Sequence, residues 1–245
     1  MINSGMYKWI ILLLILVSCR QATRSSHEIM VDSLTKVNDT DIILLDTAKG
    51  EHYFIYVQHQ PQTLKNNWLL DFRPDSMESA EFREGYQILK DSLKFKFKTF
   101  KIPGLPTKWV ELQLYKGKYY LYSPADSGDA LRRMITDSTL VDWGMEGPIP
   151  AGISAVTSTG PSNWGISTRA YYTNQIRHTT IDIIDPKNKI AVWGDIGYDG
   201  KKVYGLFVPT ENARNFDMIV SYCRDHKTAE FQFDKIDYAS LLKRK

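Results

Sequence analysis

The stretch KWVELQLYKGKYYLYSP, residues 108–124, restricts the fold of this chain more than any other, because its periodicity and its turn agree with one arrangement. Two alternating runs flank Lys116-Gly117. A two-residue loop there pairs Tyr115 with Lys118, Leu114 with Tyr119, Leu112 with Leu121 and Val110 with Ser123. Successive strand side chains point to opposite faces, so Val110, Leu112, Leu114 and Leu121 form one apolar face. Gln113 with Tyr120 and Glu111 with Tyr122 form the other, which suits a solvated or ligand-facing surface.

The same grammar recurs along the chain. IDIIDPKNKIAVWGDIGYDGKKVYGLFVP, residues 181–209, predicts three strands with turns at Asp185-Pro186-Lys187-Asn188 and Tyr198-Asp199-Gly200. DIILLDTAKGEHYFIYVQH predicts a strand pair around Lys49-Gly50. A further strand is expected at Asn67–Phe72, and AEFQFDKI is expected to close the sheet. Asp75 followed by Glu78 has the spacing of a capping box, with Met77, Phe82, Tyr86 and Leu89 near one face of the helix it would start. Gly85 weakens that helix by about 1 kcal/mol relative to Ala. A second helix is expected from Thr210, with Ala213, Phe216, Val220 and Cys223 as its apolar stripe. MEGPIPAGISAVTSTGPSNWG, residues 145–165, is expected to be a long irregular loop. The expectation is a mainly β chain with two or three helices (α+β), its largely antiparallel sheet forming a barrel or a sandwich. Lipocalin-like barrels fit the hairpin-rich order.

The N-terminus carries a different kind of information. ILLLILVSC, residues 11–19, lies in an apolar run from Trp9 to Val17, flanked by Lys8 and Ser18. That is shorter than the roughly 20 residues needed to span a bilayer. Lys8, the short apolar run and the small residues after it are the parts of a secretory signal, and Leu16-Val17-Ser18-Cys19 resembles the bacterial lipoprotein box. The resemblance implies a diacylglyceryl group on the Cys19 sulfur and cleavage before that residue. Residues 1–18 are then the signal peptide, 19–40 a lipidated cysteine and polar tether, and 41–245 a single strand-rich globular domain. Attached acyl chains would hold the protein at a membrane of the cell envelope. Arg20, where inner-membrane lipoproteins often carry Asp, favours the outer membrane, on its periplasmic or surface face.

Composition and spacing narrow the chemistry. A formal charge of +3, without a clustered basic excess, argues against nucleic acid as a partner. With Cys19 acylated, Cys223 has no partner for an intramolecular disulfide. His27, His52, His59, His178 and His226 share no metal-binding spacing, so no metal and no cofactor are expected. Neither PADSGDA nor DIGYDG matches a calcium loop, and no G-x-S-x-G elbow is present. Cys223 and His226 would be neighbours on a helix, yet the apolar stripe containing Cys223 reads as core. Asp142, Glu146, Asp182, Asp195 and Asp199 are the acids that could supply a carboxylate pair.

Aromatic residues supply the binding candidates. Tyr and Trp offer apolar area with a polar handle, and Trp109, Tyr120, Tyr122 and Trp164 are the candidate ligand-binding residues. No catalytic set is assigned. The sequence supports a lipid-anchored envelope lipoprotein acting as a non-enzymatic binding module for a glycan, peptide, lipid or envelope protein. The alternative is a membrane-tethered hydrolase acting on envelope polymers or glycans.

Overall fold

The period-two runs become the staves of a barrel. The computed structural model describes residues 40–46, 53–59, 67–125, 130–144, 147–196, 200–223 and 231–243. Its strands are β1 (Thr40–Asp46), β2 (Tyr53–Gln58), β3 (Lys108–Tyr115), β4 (Lys118–Ser123), β5 (Arg132–Ile135), β6 (Thr139–Gly144), β7 (Gly147–Gly160), β8 (Asn163–Ala170), β9 (Ile176–Asp185), β10 (Ile190–Ile196), β11 (Lys202–Pro209) and β12 (Met218–Cys223). Helices are α1 (Ser76–Gln87), α2 (Thr210–Ala213) and α3 (Tyr238–Lys243). No helix among the described residues is long and apolar enough to cross a membrane.

From β5 to β11 each strand pairs antiparallel with the next, in up-and-down order. β3 then pairs with β11 on one side and β5 on the other, closing an eight-stranded antiparallel barrel. Of the two architectures open to the sequence, the barrel forms. Beyond Val110, β3 leaves β5 and pairs with β4, and the sheet continues through β12, β2 and β1 as a side sheet. Its β4–β12 pair is parallel.

The hairpin register is the expected one from Leu112–Leu121 to Tyr115–Lys118. It does not extend to the expected Val110–Ser123 pair. Val110 is instead flanked by Val208 and Arg132, and Ser123 pairs with Val220. One strand thus serves two sheets.

Alternation separates two cores. The inner one fills the barrel with Trp109, Ile135, Leu140, Ile153, Trp164, Ile166, Ile181, Trp193 and Phe207. Trp193 contacts Trp109 edge-on at 5.5 Å and Phe207 at 5.4 Å between ring centroids. The outer core, with Val110, Leu112, Leu121, Trp143, Val208 and Val220, joins the barrel wall to the side sheet and flanking segments. Phe100, Ile102 and Leu105 pack on the inner core, and the Trp109 indole donates to the Pro106 carbonyl at 2.7 Å. The segment before β3 therefore covers the barrel end that carries the β5–β6, β7–β8 and β9–β10 turns.

Helix α1 starts at the expected capping box: the Asp75 carboxylate accepts from the Glu78 amide at 2.8 Å, and Glu78 accepts from the Asp75 amide at 3.0 Å. Glu78 also accepts from the Trp143 indole at 2.9 Å, tying the helix to the barrel wall. Met77, expected on the buried face, is 71% exposed. Gly85 has its explanation in packing: a β-carbon there would lie 2.9 Å from the Tyr171 ring and 3.1 Å from Pro150. Helix propensity is sacrificed for close approach to the barrel.

Four further expectations are corrected. The loop expected over residues 145–165 is replaced, in its described part from residue 147, by the longest strand of the barrel, Gly147 to Gly160, followed by β8. Gly152 acts by being small, because a β-carbon there would collide with the Phe95 ring. The second helix ends at Ala213, and Met218–Cys223 is strand β12. Met218, Ile219, Val220 and Ser221 are all buried, so this strand is covered on both faces and its continuous apolar run does not reveal its period. Asn67–Leu70 is a 3₁₀ turn and not a strand; Arg132 takes the Trp68 and Asp71 carbonyls at 2.9 and 2.6 Å. Of AEFQFDKI, the described residues 231–236 contribute only an isolated Asp234–Leu114 bridge, because β3 and β5 close the barrel themselves.

Candidate functional site at the polar mouth of the barrel

Consecutive arginines on β5 point to opposite faces. Arg132 lies outside, its guanidinium 4.8 Å from the Trp143 ring centroid, whereas Arg133 points into the barrel over Trp193 at 5.0 Å and Phe207 at 5.1 Å. Arg133 donates to Asp195 of β10 at 2.6 Å and meets Asp142 of β6 at 3.1 Å. Arg177 of β9 donates to Asp142 and lies 3.9 Å from Asp195. The pairs β5 with β10 and β6 with β9 are not sheet neighbours. Such contacts form only across the interior, so the four residues make a charge-balanced ring within the barrel. Thr179 of β9 donates to Asp195 at 2.6 Å.

This ring lies toward the end carrying the β6–β7, β8–β9 and β10–β11 turns, opposite the apolar plug. There a cavity of about 150 Å³ is lined by Asp142 and Arg177, by Ile149, Ala151, Ala170 and Ile176, and by Tyr172, Thr173 and Gln175. A groove of about 380 Å³ adjoins it, sharing Ile149 and Tyr172 and adding Glu81, Glu84, Gly85 and Tyr171. The bareness of Gly85 brings α1 against this rim.

The electrostatics follow from burial. Burial alone would push the Asp142 carboxyl up, but the Arg133 and Arg177 guanidinia outweigh it and hold the group below its ordinary value. Burial likewise works against charge on Arg177, and Asp142 with Asp195 more than restores it. Glu111, facing inward beside Gly205, has no comparable partner among the described residues. Burial pushes its carboxyl up to about 7, against the weaker opposing pull of Arg133.

A raised carboxyl destabilises the folded protein as pH rises. Below about 4.5 both states hold the proton; between about 4.5 and 7 the unfolded chain has lost it while the folded chain keeps it, and stability falls. Glu111→Gln should abolish that decline and raise the unfolding free energy above pH 7 by about 3 kcal/mol. Urea unfolding of both proteins on either side of this window tests the assignment. Identical pH slopes would mean that the carboxyl ionises normally.

The expected ligand-binding aromatics divide between two cores. Trp109 and Trp164 are in the barrel interior, fully buried and 6% exposed respectively. Tyr122 is buried on the side sheet with Ile55, Val57 and Ile219, its ring 4.8 Å from Phe233, and partly buried Tyr120 packs on the same cluster. The hairpin face bearing Tyr120 and Tyr122 is therefore covered in part by residues 231–233. Among the expected acids, Asp142 and Asp195 meet in the ring, while Asp182 bonds to Asn163 across β8 and β9. Glu146 and Asp199 lie outside the described residues, as do Cys19 and the tether up to residue 39. Among the described residues no three His, Cys, Asp or Glu side chains gather as a metal site.

Sequence reasoning missed Arg133, Arg177 and the inward position of Glu111. A signal for Arg177 existed: in IRHTTIDIID it shares its alternation with Thr179, Ile181 and Ile183. Fold and site together define the class, an up-and-down barrel with one end plugged and a charge-balanced polar mouth at the other. Comparison of the chain with protein-family models, curated proteins and solved structures finds no match.

Proposed function

We propose that this protein is a lipid-anchored lipoprotein of the cell envelope, held through Cys19 at the outer membrane, whose barrel is a non-enzymatic binding module with its ligand at the polar mouth. The observation that carries the binding reading is the cavity lined by Asp142 and Arg177 against apolar walls. Convergent polar groups within a mainly apolar concavity are the usual composition of a small-ligand site. The alternative reading, a tethered hydrolase, needs a carboxylic acid poised to donate a proton. Asp142 is held ionised by two guanidinia, and Glu111, with its raised carboxyl, is not among the residues lining the cavity. Binding is the better supported of the two.

The anchor and the site are tested separately. Cys19→Ser removes the sulfur that would accept the diacylglyceryl group, and with it about 0.8 kcal/mol per buried CH₂. The variant should leave the membrane fraction, and mass spectrometry should find a lipidated N-terminal Cys19 only in the unaltered protein. Unchanged membrane recovery would refute the anchor. For the site, Ala151→Leu fills the cavity from the wall of β7 and should abolish binding of whichever envelope extract component protects the unaltered protein from thermal unfolding.

A further inference from the structure

We propose that the plugged end of the barrel lies against an anionic lipid surface, through the four lysines of KFKFKTFK, residues 94–101, and the apolar groove that adjoins them. These lysines are the chain's charge excess. Without the four, 31 Lys and Arg fall to 27, against 28 Asp and Glu. No acid interrupts the sequence between Asp91 and Glu111. The modest overall charge thus conceals one basic cluster, and the expectation of no clustered basic excess is corrected here.

Packing fixes which way the segment faces. Phe97 stacks on Tyr86 of α1 at 4.2 Å between ring centroids, Phe95 meets Phe97 edge-on at 5.0 Å and packs against bare Gly152, and Phe100 packs on the inner core. The Phe100 amide donates to the Asp137 carbonyl of the β5–β6 turn at 2.7 Å, which brings the segment to the plugged end. The three phenylalanines are half-buried, whereas Lys94, Lys96, Lys98 and Lys101 are exposed. None of these four side chains has an ion-pair or hydrogen-bond partner among the described residues. Their charge is therefore open to an outside anion.

Lipid is favoured over other polyanions by what lies beside Lys101. That lysine lines a groove of about 460 Å³ together with Phe100, Ile102, Pro103, Val156, Pro161 and Trp164. Pro103 and Pro161 are exposed, and Phe100, Ile102 and Val156 are half-buried. Protein surfaces at a bilayer interface join lysines, which meet the headgroups, to apolar groups that reach the acyl boundary. A nucleic acid or acidic polysaccharide would engage the lysines and leave the groove unused. Each lysine near an anionic bilayer strengthens attraction about fivefold. Both features belong to the folded domain and act with or without the Cys19 anchor. With this end against the bilayer, the polar mouth at the opposite end faces away from it.

The test uses the full chain with vesicles of pure phosphatidylcholine and of equal parts phosphatidylcholine and phosphatidylglycerol. Brief acetylation followed by mass spectrometry reads each lysine, with exposed Lys202 at the mouth end as the reference. With the anionic vesicles Lys94, Lys96, Lys98 and Lys101 should react severalfold more slowly than with the zwitterionic ones, while Lys202 is unchanged. Salt at about 1 M, where the screening length is about 3 Å, should erase the difference. Any N-terminal attachment is common to both vesicles and cancels in the contrast. Phosphatidylglycerol carrying a diazirine in its acyl chain should cross-link on irradiation to residues 100–103 and 156–164. Substituting all four lysines (Lys94→Gln, Lys96→Gln, Lys98→Gln and Lys101→Gln) should cut that cross-linking about tenfold or more, without lowering the melting temperature, because these side chains have no partner to lose. Equal acetylation with the two vesicles would overturn the proposal. Protection without acyl-chain cross-links would overturn the lipid assignment and leave a surface for soluble polyanions. Cross-links that survive the glutamine substitutions would show that the lysines do not hold this end to the membrane.

Discussion

Arg133→Met should lower the unfolding free energy by about 3–5 kcal/mol, because it strips one cation from a buried, balanced ring. Arg133 spans β10 and β6, meeting Asp195 at 2.6 Å and Asp142 at 3.1 Å. Without it, two carboxylates share Arg177 alone. Methionine fills much of the same space against Trp193 and Phe207, so lost packing contributes less than the uncompensated charge. Arg133→Lys should fall between, since an ammonium cannot reach two carboxylates with the guanidinium fork.

The same variant should alter acid unfolding. Asp142 has its carboxyl below the ordinary 3.8, so its contribution is complete above that pH and vanishes as pH falls through the lower folded value. Removing Arg133 moves the loss to higher pH. Urea unfolding at neutral pH and an acid titration followed by tryptophan fluorescence test both effects. A neutral-pH loss under about 1 kcal/mol would show that the ring is not buried as described.

Leu112→Ala should cost about 2–5 kcal/mol through lost burial and the cavity left behind. Leu112 is 1% exposed and sits opposite Leu121, at the point where β3 passes from the barrel to the side sheet. Loss there loosens both sheets. Gln113→Ala, one residue on and half-buried, should cost under about 1 kcal/mol. Equal effects in denaturant unfolding would contradict the register.

Local chemistry made much of this legible. The Lys116-Gly117 loop set the β3–β4 register from Leu112 onward, and the Asp75–Glu78 pair started α1, because both depend on groups a few residues apart. The Asp185 turn formed for the same reason, its carboxylate accepting from the Lys187 amide at 2.9 Å. Asp142 and Asp195 were among the acids of interest, and the barrel brought them together. The arginines between them were not read as partners, since the sequence separations of 62 residues for Arg133–Asp195 and 35 for Arg177–Asp142 carry no local spacing.

Where the reading failed, a distant contact reversed a local preference. Glycine and proline in residues 147–160 favoured a loop, yet Phe95 and α1 pack where larger side chains would collide, and a strand results. The strand starting at Met218 lost its visible period because Met218 to Ser221 are covered on both faces. The sequence by itself determined the period-two runs, the tight turns and the helix start, since these follow from the reach of a side chain to its own backbone. Only the tertiary structure decided that β3 would close a barrel, that Arg133 would face inward while Arg132 faced out, and that four charges from β5, β6, β9 and β10 would balance at one mouth. Those outcomes depend on curvature and on which strands become neighbours, and a pattern of alternating residues specifies neither.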